Sequence, residues 1–241
     1  MTATSIAWIR RWRYDGARIV LGLLLLAAAT ALTVDPPAAW EASLFRAIND
    51  LPSQMEWALW PAQQAGMVLA IPVAAAALWL LVRSWRPPVT LLVFGIGLGW
   101  VLPKIIKDAV DRGRPGALLD DVRFGTDVSA GGLGYPSGHA VVAFVVAVTL
   151  SPYVPRWLRW VLYGIAGLVC FTRVYVGAHM PLDVVGGAAL GIAVGSLVCL
   201  TAGIRADRAK PEALAPWPED PSRQPDHTAN GPQPTGSGSS S

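Results

Sequence analysis

The sequence has few charged residues and few cysteines. Only 15% of its 241 residues are charged, whereas an average soluble domain carries about 25%, and this scarcity argues against a soluble protein. The two cysteines, Cys170 and Cys199, each lie inside an apolar run, so they indicate neither a disulfide framework nor a metal site. The net charge of +3 comes from arginines scattered between apolar segments, and a nucleic-acid-binding stripe is therefore not expected.

Apolar sequence is what the chain has in abundance, at 53% of all residues. It falls into six blocks that approach or reach the roughly 20 residues needed to span a bilayer as a helix. The blocks cover about residues 17–34, 66–82, 89–106, 139–154, 157–176 and 181–204. We therefore predict an all-α, polytopic membrane protein with a bundle of six transmembrane helices. A signal peptide is the alternative for the first block, but its length and the lack of a clean cleavage site favour a retained helix.

The arginines between the blocks predict the orientation of the bundle. The N-terminal arginines, two short loops and the exit of the last block lie on one side, which the positive-inside rule makes cytoplasmic. We expect a plasma (inner) membrane protein with both termini in the cytoplasm, divided into a segment 1–16, a membrane domain 17–204 and a tail 205–241. The tail is rich in Pro, Ser and Gly, a composition typical of disorder.

Two longer segments lie on the opposite, extracytoplasmic side. Residues 35–56 contain apolar side chains at helical spacing, which indicates either an interfacial helix or an amphipathic helix packed on the bundle. These side chains are Trp40, Leu44, Ile48 and Leu51. Residues 107–139 form the predicted catalytic loop, and its cations Arg112, Arg114 and Arg123 run against the charge bias, so they are candidates for function. Taken singly, four charges here are interpreted as part of a solvated loop: Asp120, Asp121, Arg123 and Asp127.

Three polar clusters occur at helix ends on this outer side. They are KDAVDRGRP at 107–115, YPSGH at 135–139 and TRVYVGAHMPLD at 172–183. Lys107, Arg114 and Arg173 supply three cations without enough carboxylate to neutralise them, so a site built from them favours an anion such as phosphate. The glycine-rich approach to the second cluster ends where the fourth helix is predicted to begin, and a helix N-terminus offers free N–H groups to phosphate. Together the clusters predict a phosphate-binding cradle.

The two histidines in these clusters differ in their surroundings. His179 has Asp183 four residues later, a helical spacing that lets the carboxylate fix one ring nitrogen and leaves the other free to attack phosphorus. His139 has no such carboxylate nearby in the sequence, so it is better suited to protonate a leaving oxygen as a general acid. The pair therefore predicts a nucleophile and an acid.

In their order and spacing, the three motifs resemble those of the type-2 phosphatidic acid phosphatase superfamily, in its membrane lipid phosphatase branch, over about residues 66–204. The resemblance implies that His179 is the nucleophile and forms a phosphohistidine, that Asp183 orients it, and that His139 is the acid. It also implies which groups hold the phosphoryl oxygens: Lys107, Arg114, Ser137, the Gly138 amide and Arg173. Thr172 departs from the Ser that the family usually has there, but it keeps a hydroxyl, so little change is expected.

The predicted function is hydrolysis of a phosphomonoester or diphosphate on a membrane lipid. Family analogy slightly favours polyprenyl diphosphate over phosphatidic acid and phosphatidylglycerophosphate. A lipid phosphotransferase that uses the same phosphohistidine with an acceptor other than water remains the alternative. A channel or transporter is disfavoured because the spanning blocks are almost free of charge. No carboxylate cluster suited to a divalent ion is present in the sequence, so neither a metal nor another cofactor is predicted; the expected partners are the bilayer and the lipid phosphate.

Overall fold

The structure, a computed structural model, describes residues 3–65, 86–126 and 128–201. Within these ranges, the apolar blocks form helices. In this part of the chain we number the helices α1 (Ala3–Leu32), α2 (Ala39–Asn49), α3 (Met55–Ala65), α4 (Arg86–Val110), α5 (Pro115–Leu118), α6 (Gly138–Leu150), α7 (Arg156–Tyr175) and α8 (Pro181–Thr201). A single 3-10 turn, Ser151–Tyr153, follows α6. No β-strand occurs among the described residues, which confirms the all-α class for them.

Within the described ranges, four segments are long and apolar enough to cross a membrane: Trp12–Leu32, Val89–Val110, Arg156–Tyr175 and Pro181–Thr201. Their outer surfaces expose large apolar side chains such as Leu24, Phe94 and Trp160, as contact with lipid requires. A further apolar helix, Gly138–Tyr153, is shorter. The predicted block at 66–82 and the predicted tail at 205–241 lie outside the described residues, so the count of six spans stays a prediction.

The core of the bundle lies around α6, which packs against α4, α7 and α8. Glycines bring α6 and α8 into close contact, because a Cβ at Gly187 or Gly191 would lie 2.5 Å from the carbonyl oxygen of Ser137 or Val141. An apolar cluster fills the space between α4, α6 and α8; its buried members are Val89, Leu92, Ile96, Val141, Val142, Val145, Leu190 and Val194. This packing fixes the beginning of α6 against the first two turns of α8.

The first apolar block is an integral part of this bundle. Helix α1 begins at Ala3, within the segment predicted to precede the first span, and it packs against α8. A Cβ at Gly22 would lie 2.8 Å from the carbonyl oxygen of Ala189, so the two backbones are in close contact. Near the other end of α1, the hydroxyl groups of Thr30 and Tyr135 are 2.7 Å apart. These contacts join α1 to α8 and to the loop that leads into α6.

Helix α2 packs on the bundle with only part of the face that its apolar spacing predicted. Ile48 and Leu51 pack against buried clusters, whereas Trp40 and Leu44 are 51% and 44% exposed and Glu41 and Phe45 are buried instead. The prediction that Trp40 and Leu44 pack on the bundle is therefore wrong. The reason is electrostatic, because a buried ion pair of Glu41, described below, occupies the inward face and leaves Trp40 and Leu44 outside.

The interpretation of Arg123 as part of a solvated loop is wrong, because its side chain is bonded to other elements. Its Nε and one terminal nitrogen donate to the carbonyl oxygen of Asn49 at 2.9 and 2.6 Å, and its guanidinium lies 4.7 Å from the ring centre of Tyr175. Asp120 and Asp121 are exposed, as predicted, and Asp127 lies outside the described residues. Arg123 thus fastens this loop to α2 and α7.

Candidate active site

The three predicted clusters meet at one end of the bundle, where two helices end and two begin. Lys107 and Arg173 lie in the last turns of α4 and α7, and His139 and Asp183 lie in the first turns of α6 and α8. Because the helices run in alternating directions, these termini come together in space although they are up to 76 residues apart in sequence. The prediction that α6 begins at the second cluster is confirmed, since its first residue is Gly138.

Lys107 holds the loop that leads into α6. Its ammonium group donates to the carbonyl oxygens of Leu133 and Gly134 at 2.8 and 3.0 Å, and the Gly134 amide donates to the carbonyl oxygen of Arg112 at 2.7 Å. A Cβ at Gly134 would lie 2.7 Å from Asp183 Oδ2, so a larger residue at this position would push into the carboxylate. Lys107 therefore shapes the cradle as well as supplying charge to it.

Several buried donors beside this loop have no hydrogen-bond partner within the described part of the chain. They are Ser137 Oγ, Arg114 Nε and Arg173 Nε. An unsatisfied buried polar group is costly, and native proteins leave few of them. In addition, the amide of Gly138 lies at the N-terminus of α6, where an intrahelical acceptor is lacking. This set of donors suits an oxyanion, which would satisfy several of them at once.

The charges around the site also favour an anion. His139 is within electrostatic range of Arg173, Arg114 and His179, and Arg114 interacts with both Arg173 and Lys107. Asp183, the carboxylate beside them, is already bonded to another arginine. The three predicted cations therefore converge with unbalanced positive charge, which a phosphate group would neutralise.

His179 lies almost entirely inside the protein, with 3% of its surface exposed. Its Nδ1 is 3.5 Å from Asp183 Oδ2, and the same oxygen accepts the Met180 amide at 2.9 Å. His179 therefore lies just before α8 and faces Asp183 in its first turn, and the contact is longer than a hydrogen bond, as is common before substrate binds. Burial lowers the pKa of His179 to about 4, although Asp183 acts in the opposite direction. The ring is neutral at physiological pH, as a nucleophile must be.

Sequence reasoning missed the groups behind Asp183. Arg112, singled out only by its place against the charge bias, donates to Asp183 Oδ1 at 3.1 Å and to both carboxylate oxygens of Glu41 at 3.2 and 2.6 Å. Glu41 Oε1 also accepts the Leu182 amide at 3.0 Å. Burial opposes the charge of Arg112, but Glu41 and Asp183 prevail and raise its pKa. No signal in the sequence links Glu41 to residues so far along the chain.

Two further features of the site are the position of the Thr172 hydroxyl and the lack of clustered metal ligands among the described residues. Thr172 is buried, and its hydroxyl donates to the carbonyl oxygen of Val169 at 2.8 Å within α7. Its side chain therefore stabilises its own helix instead of reaching the cradle. Among the described residues, no three His, Cys, Asp or Glu side chains form a group that could hold a metal ion.

Comparison with known proteins gives consistent results. The model of the PAP2 superfamily matches residues 88–205. An undecaprenyl-diphosphatase of Sulfolobus acidocaldarius is 38% identical over 126 residues, which cover 50% of this chain and 57% of that protein. Phosphatidylglycerophosphatase B of Bacillus subtilis is 30% identical over 138 residues, which cover 53% of this chain and 64% of the relative. The crystal structure of Aquifex aeolicus LpxE is 27% identical, with a TM-score of 0.62 over 69% of this chain and 99% of that one.

Proposed function

The chain belongs to the PAP2 superfamily, and from this premise we propose that it is a membrane lipid phosphatase that works through a phosphohistidine. The observation that carries the proposal is the convergence of unpartnered buried donors, Ser137 Oγ and Arg173 Nε among them, beside a neutral and buried His179. Donors of this kind bind a phosphoryl group, and the histidine attacks it. The catalytic residues are His179, His139 and Asp183.

In the first step, His179 Nε2 attacks phosphorus while Nδ1 faces Asp183. The bond between phosphorus and the leaving oxygen breaks, and His139 donates a proton to that oxygen. Before substrate binds, His139 lies among cations. A bound phosphate adds negative charge beside the ring and therefore favours the protonated form, which can donate the proton to the leaving oxygen. The ring of His179 becomes cationic as it bonds to phosphorus, and the Asp183 carboxylate stabilises that charge.

In the second step, a water molecule attacks the phosphohistidine. His139, now neutral, takes a proton from the water, the bond between nitrogen and phosphorus breaks, and inorganic phosphate and neutral His179 are released. Through both steps, charge on the equatorial oxygens is stabilised by fixed donors, which is the main demand of phosphoryl transfer. The phosphate-binding groups are Lys107, Arg114, Ser137, the Gly138 amide and Arg173, and no metal ion is assigned a role.

The substrate is a lipid phosphate, because a site at the end of a membrane bundle lets the lipid tail stay in the bilayer while the head enters the cradle. Polyprenyl diphosphate is our first candidate, since the Sulfolobus acidocaldarius relative is named for undecaprenyl diphosphate. Phosphatidylglycerophosphate and phosphatidic acid come next. The site faces the extracytoplasmic side of the plasma membrane and the termini lie in the cytoplasm, as the arginine distribution predicts.

The test of function is phosphate release by the purified protein in detergent, with EDTA present, from these three lipid classes. His179→Ala should abolish release, and His227→Ala, in the predicted tail, is the matched control that should retain it. Release that requires added magnesium would contradict the metal-free mechanism. Consumption of lipid phosphate without inorganic phosphate, but with a phosphorylated second lipid, would identify a transferase instead.

The side of the membrane is tested separately with cysteine substitutions. Ala130→Cys lies on the exposed loop beside the site, and Arg156→Cys lies at the opposite end of α7. A membrane-impermeant maleimide should label Ala130→Cys in intact cells and label Arg156→Cys only after permeabilisation. The reverse pattern would place the site in the cytoplasm.

A further inference from the structure

We propose that Glu41 and Arg112 are positioning residues for the nucleophile: they hold Asp183 against His179 and set the negative charge that the nucleophile faces. The inference rests on the proposed function for its catalytic meaning. The chain of contacts runs through α2, the segment after α4 and the first turn of α8. It therefore joins three separate parts of the protein behind one histidine.

The geometry leaves Asp183 with little freedom. Oδ1 accepts one arm of Arg112 at 3.1 Å, and Oδ2 accepts the Met180 amide at 2.9 Å, which leaves Oδ2 facing His179 Nδ1 at 3.5 Å. Arg112 is fixed in turn, because its terminal nitrogens bond to both oxygens of Glu41. Glu41 is fixed by the Leu182 amide at 3.0 Å. Each group in the chain thus orients the next one.

The charges of Glu41, Arg112 and Asp183 interact strongly because all three side chains are buried. Glu41 and Asp183 have no exposed surface, and Arg112 has 5%. One cation between two carboxylates leaves a net charge of one negative unit, which is available to the imidazolium that forms when His179 bonds to phosphorus. If Glu41 lost its charge, Arg112 would neutralise Asp183 alone and the stabilisation of that imidazolium would fall. Low exposure means that solvent screens this effect only weakly.

Stability alone is a weak explanation for the arrangement. Taking three charged groups out of water is expensive, and well-packed apolar residues of similar volume often stabilise a protein equally well. The fork of Arg112 also satisfies two carboxylates that point in different directions, which a lysine would not reproduce. We therefore expect Glu41 and Arg112 to affect the chemical step beyond any effect on folding.

The first test is Glu41→Gln, which keeps the size of the side chain and an oxygen for the Leu182 amide but removes the charge. We expect kcat to fall about tenfold with KM unchanged, by analogy with the lower end of the losses caused by altering the hydrogen-bond partner of a metal-binding histidine. Glu41→Asp, which keeps the charge, should recover part of the loss. Arg123→Lys is the matched control, because Arg123 also fastens α2 but has no contact with Asp183; it should lower the melting temperature and leave kcat of the folded protein unchanged.

A double-mutant cycle shows whether Glu41 acts through Asp183. In an Asp183→Asn background, Glu41→Gln should cost nothing further, because the group it supports is already neutral. Arg123→Lys should have the same effect in both backgrounds. If the effects of Glu41→Gln and Asp183→Asn multiply, Glu41 does not act through Asp183 and the inference is overturned.

A substrate-free measurement separates this inference from the proposed function. The charged and titratable groups that face His179 are Asp183, Arg173, Lys107 and His139. Titration of His179 by NMR should move to lower pH in Glu41→Gln, since a negative charge behind Asp183 has been removed. An unchanged titration would refute the coupling even if the protein is a phosphatase. A shifted titration without phosphate release from any lipid would keep the coupling and refute the function.

Discussion

The Ser137 amide donates to the carbonyl oxygen of Asp183 at 2.9 Å, and this bond ties the loop before α6 to the first turn of α8. The predicted phosphate-binding serine and the carboxylate that faces the nucleophile therefore share one piece of backbone. A shift of either helix would move both. At the same place the backbones of α6 and α8 are in close contact: a Cβ at Gly187 would lie 2.5 Å from the Ser137 carbonyl oxygen.

Gly187→Ala tests the importance of that approach. The added methyl group would push on the Ser137 backbone, so we expect a loss of about 1–3 kcal/mol in stability together with reduced turnover. Gly164→Ala, in α7, is the control, since a Cβ there meets nothing within 4 Å. Thermal unfolding in detergent and phosphate release measure the two effects. Equal stability and turnover in the two variants would show that α6 and α8 can move apart at little cost in free energy.

Ser137→Ala separates binding from stability. The Ser137 hydroxyl is buried without a hydrogen-bond partner in the described part of the chain, so removing it should leave the melting temperature unchanged or slightly higher. Binding of the phosphoryl group should weaken about tenfold or more, as expected for the loss of a hydrogen bond to a charged ligand. The readouts are the melting temperature without ligand and its rise with inorganic phosphate. A large loss of stability without ligand would mean that the hydroxyl has a structural role.

Lys107 and Lys104 provide a matched pair on one helix. Lys107 bonds to the loop before α6, whereas Lys104 is exposed and lies 5.2 Å from the ring centre of Trp100. Lys107→Met should lower kcat about 10²- to 10³-fold, because a fixed donor near the phosphoryl group is lost. Lys104→Met should change turnover less than twofold. Comparable losses in both variants would point to a general charge effect.

The dependence of activity on pH follows from the burial of His179, the proposed nucleophile. Burial lowers the pKa of His179 to about 4 from its usual 6.5, so protonation of this ring should cause no loss of kcat/KM above about pH 5 and should lower it only near pH 4. Stability should begin to fall below about pH 6.5, where the unfolded chain takes up a proton that the native ring accepts only near 4. The profile is measured with a lipid whose phosphate ionisation is known from phosphorus NMR. A decline in kcat/KM near pH 6.5 that ionisation of the substrate phosphate does not explain would contradict a buried, neutral His179.

Thr172→Ser tests whether the side chain of Thr172 reaches the site. The Thr172 hydroxyl bonds within α7, to the carbonyl oxygen of Val169, and serine can make the same bond. Turnover should change less than twofold. Phosphate release under saturating and limiting substrate checks this, and a large change in either regime would show that the hydroxyl reaches the cradle.

Local sequence patterns are enough to predict the helical class, the apolar helices of the described region and the motifs of the site. These features depend on local patterns: runs of apolar residues, helix-starting positions such as Gly138, and the short spacing that places His179, just before α8, beside Asp183 in its first turn. The structure retains each of them, because a local pattern survives in any arrangement of the helices.

The groups behind the site become apparent only when the helices are packed together. Glu41 is 71 residues before Arg112 and 142 before Asp183, and the apolar spacing of α2 indicated the Trp40 face instead. Arg123 likewise showed its role only once α2 and the end of α7 were brought beside it. Such contacts depend on which helix faces which and at what depth, and a buried charge can override an apolar stripe when its partner lies on another element.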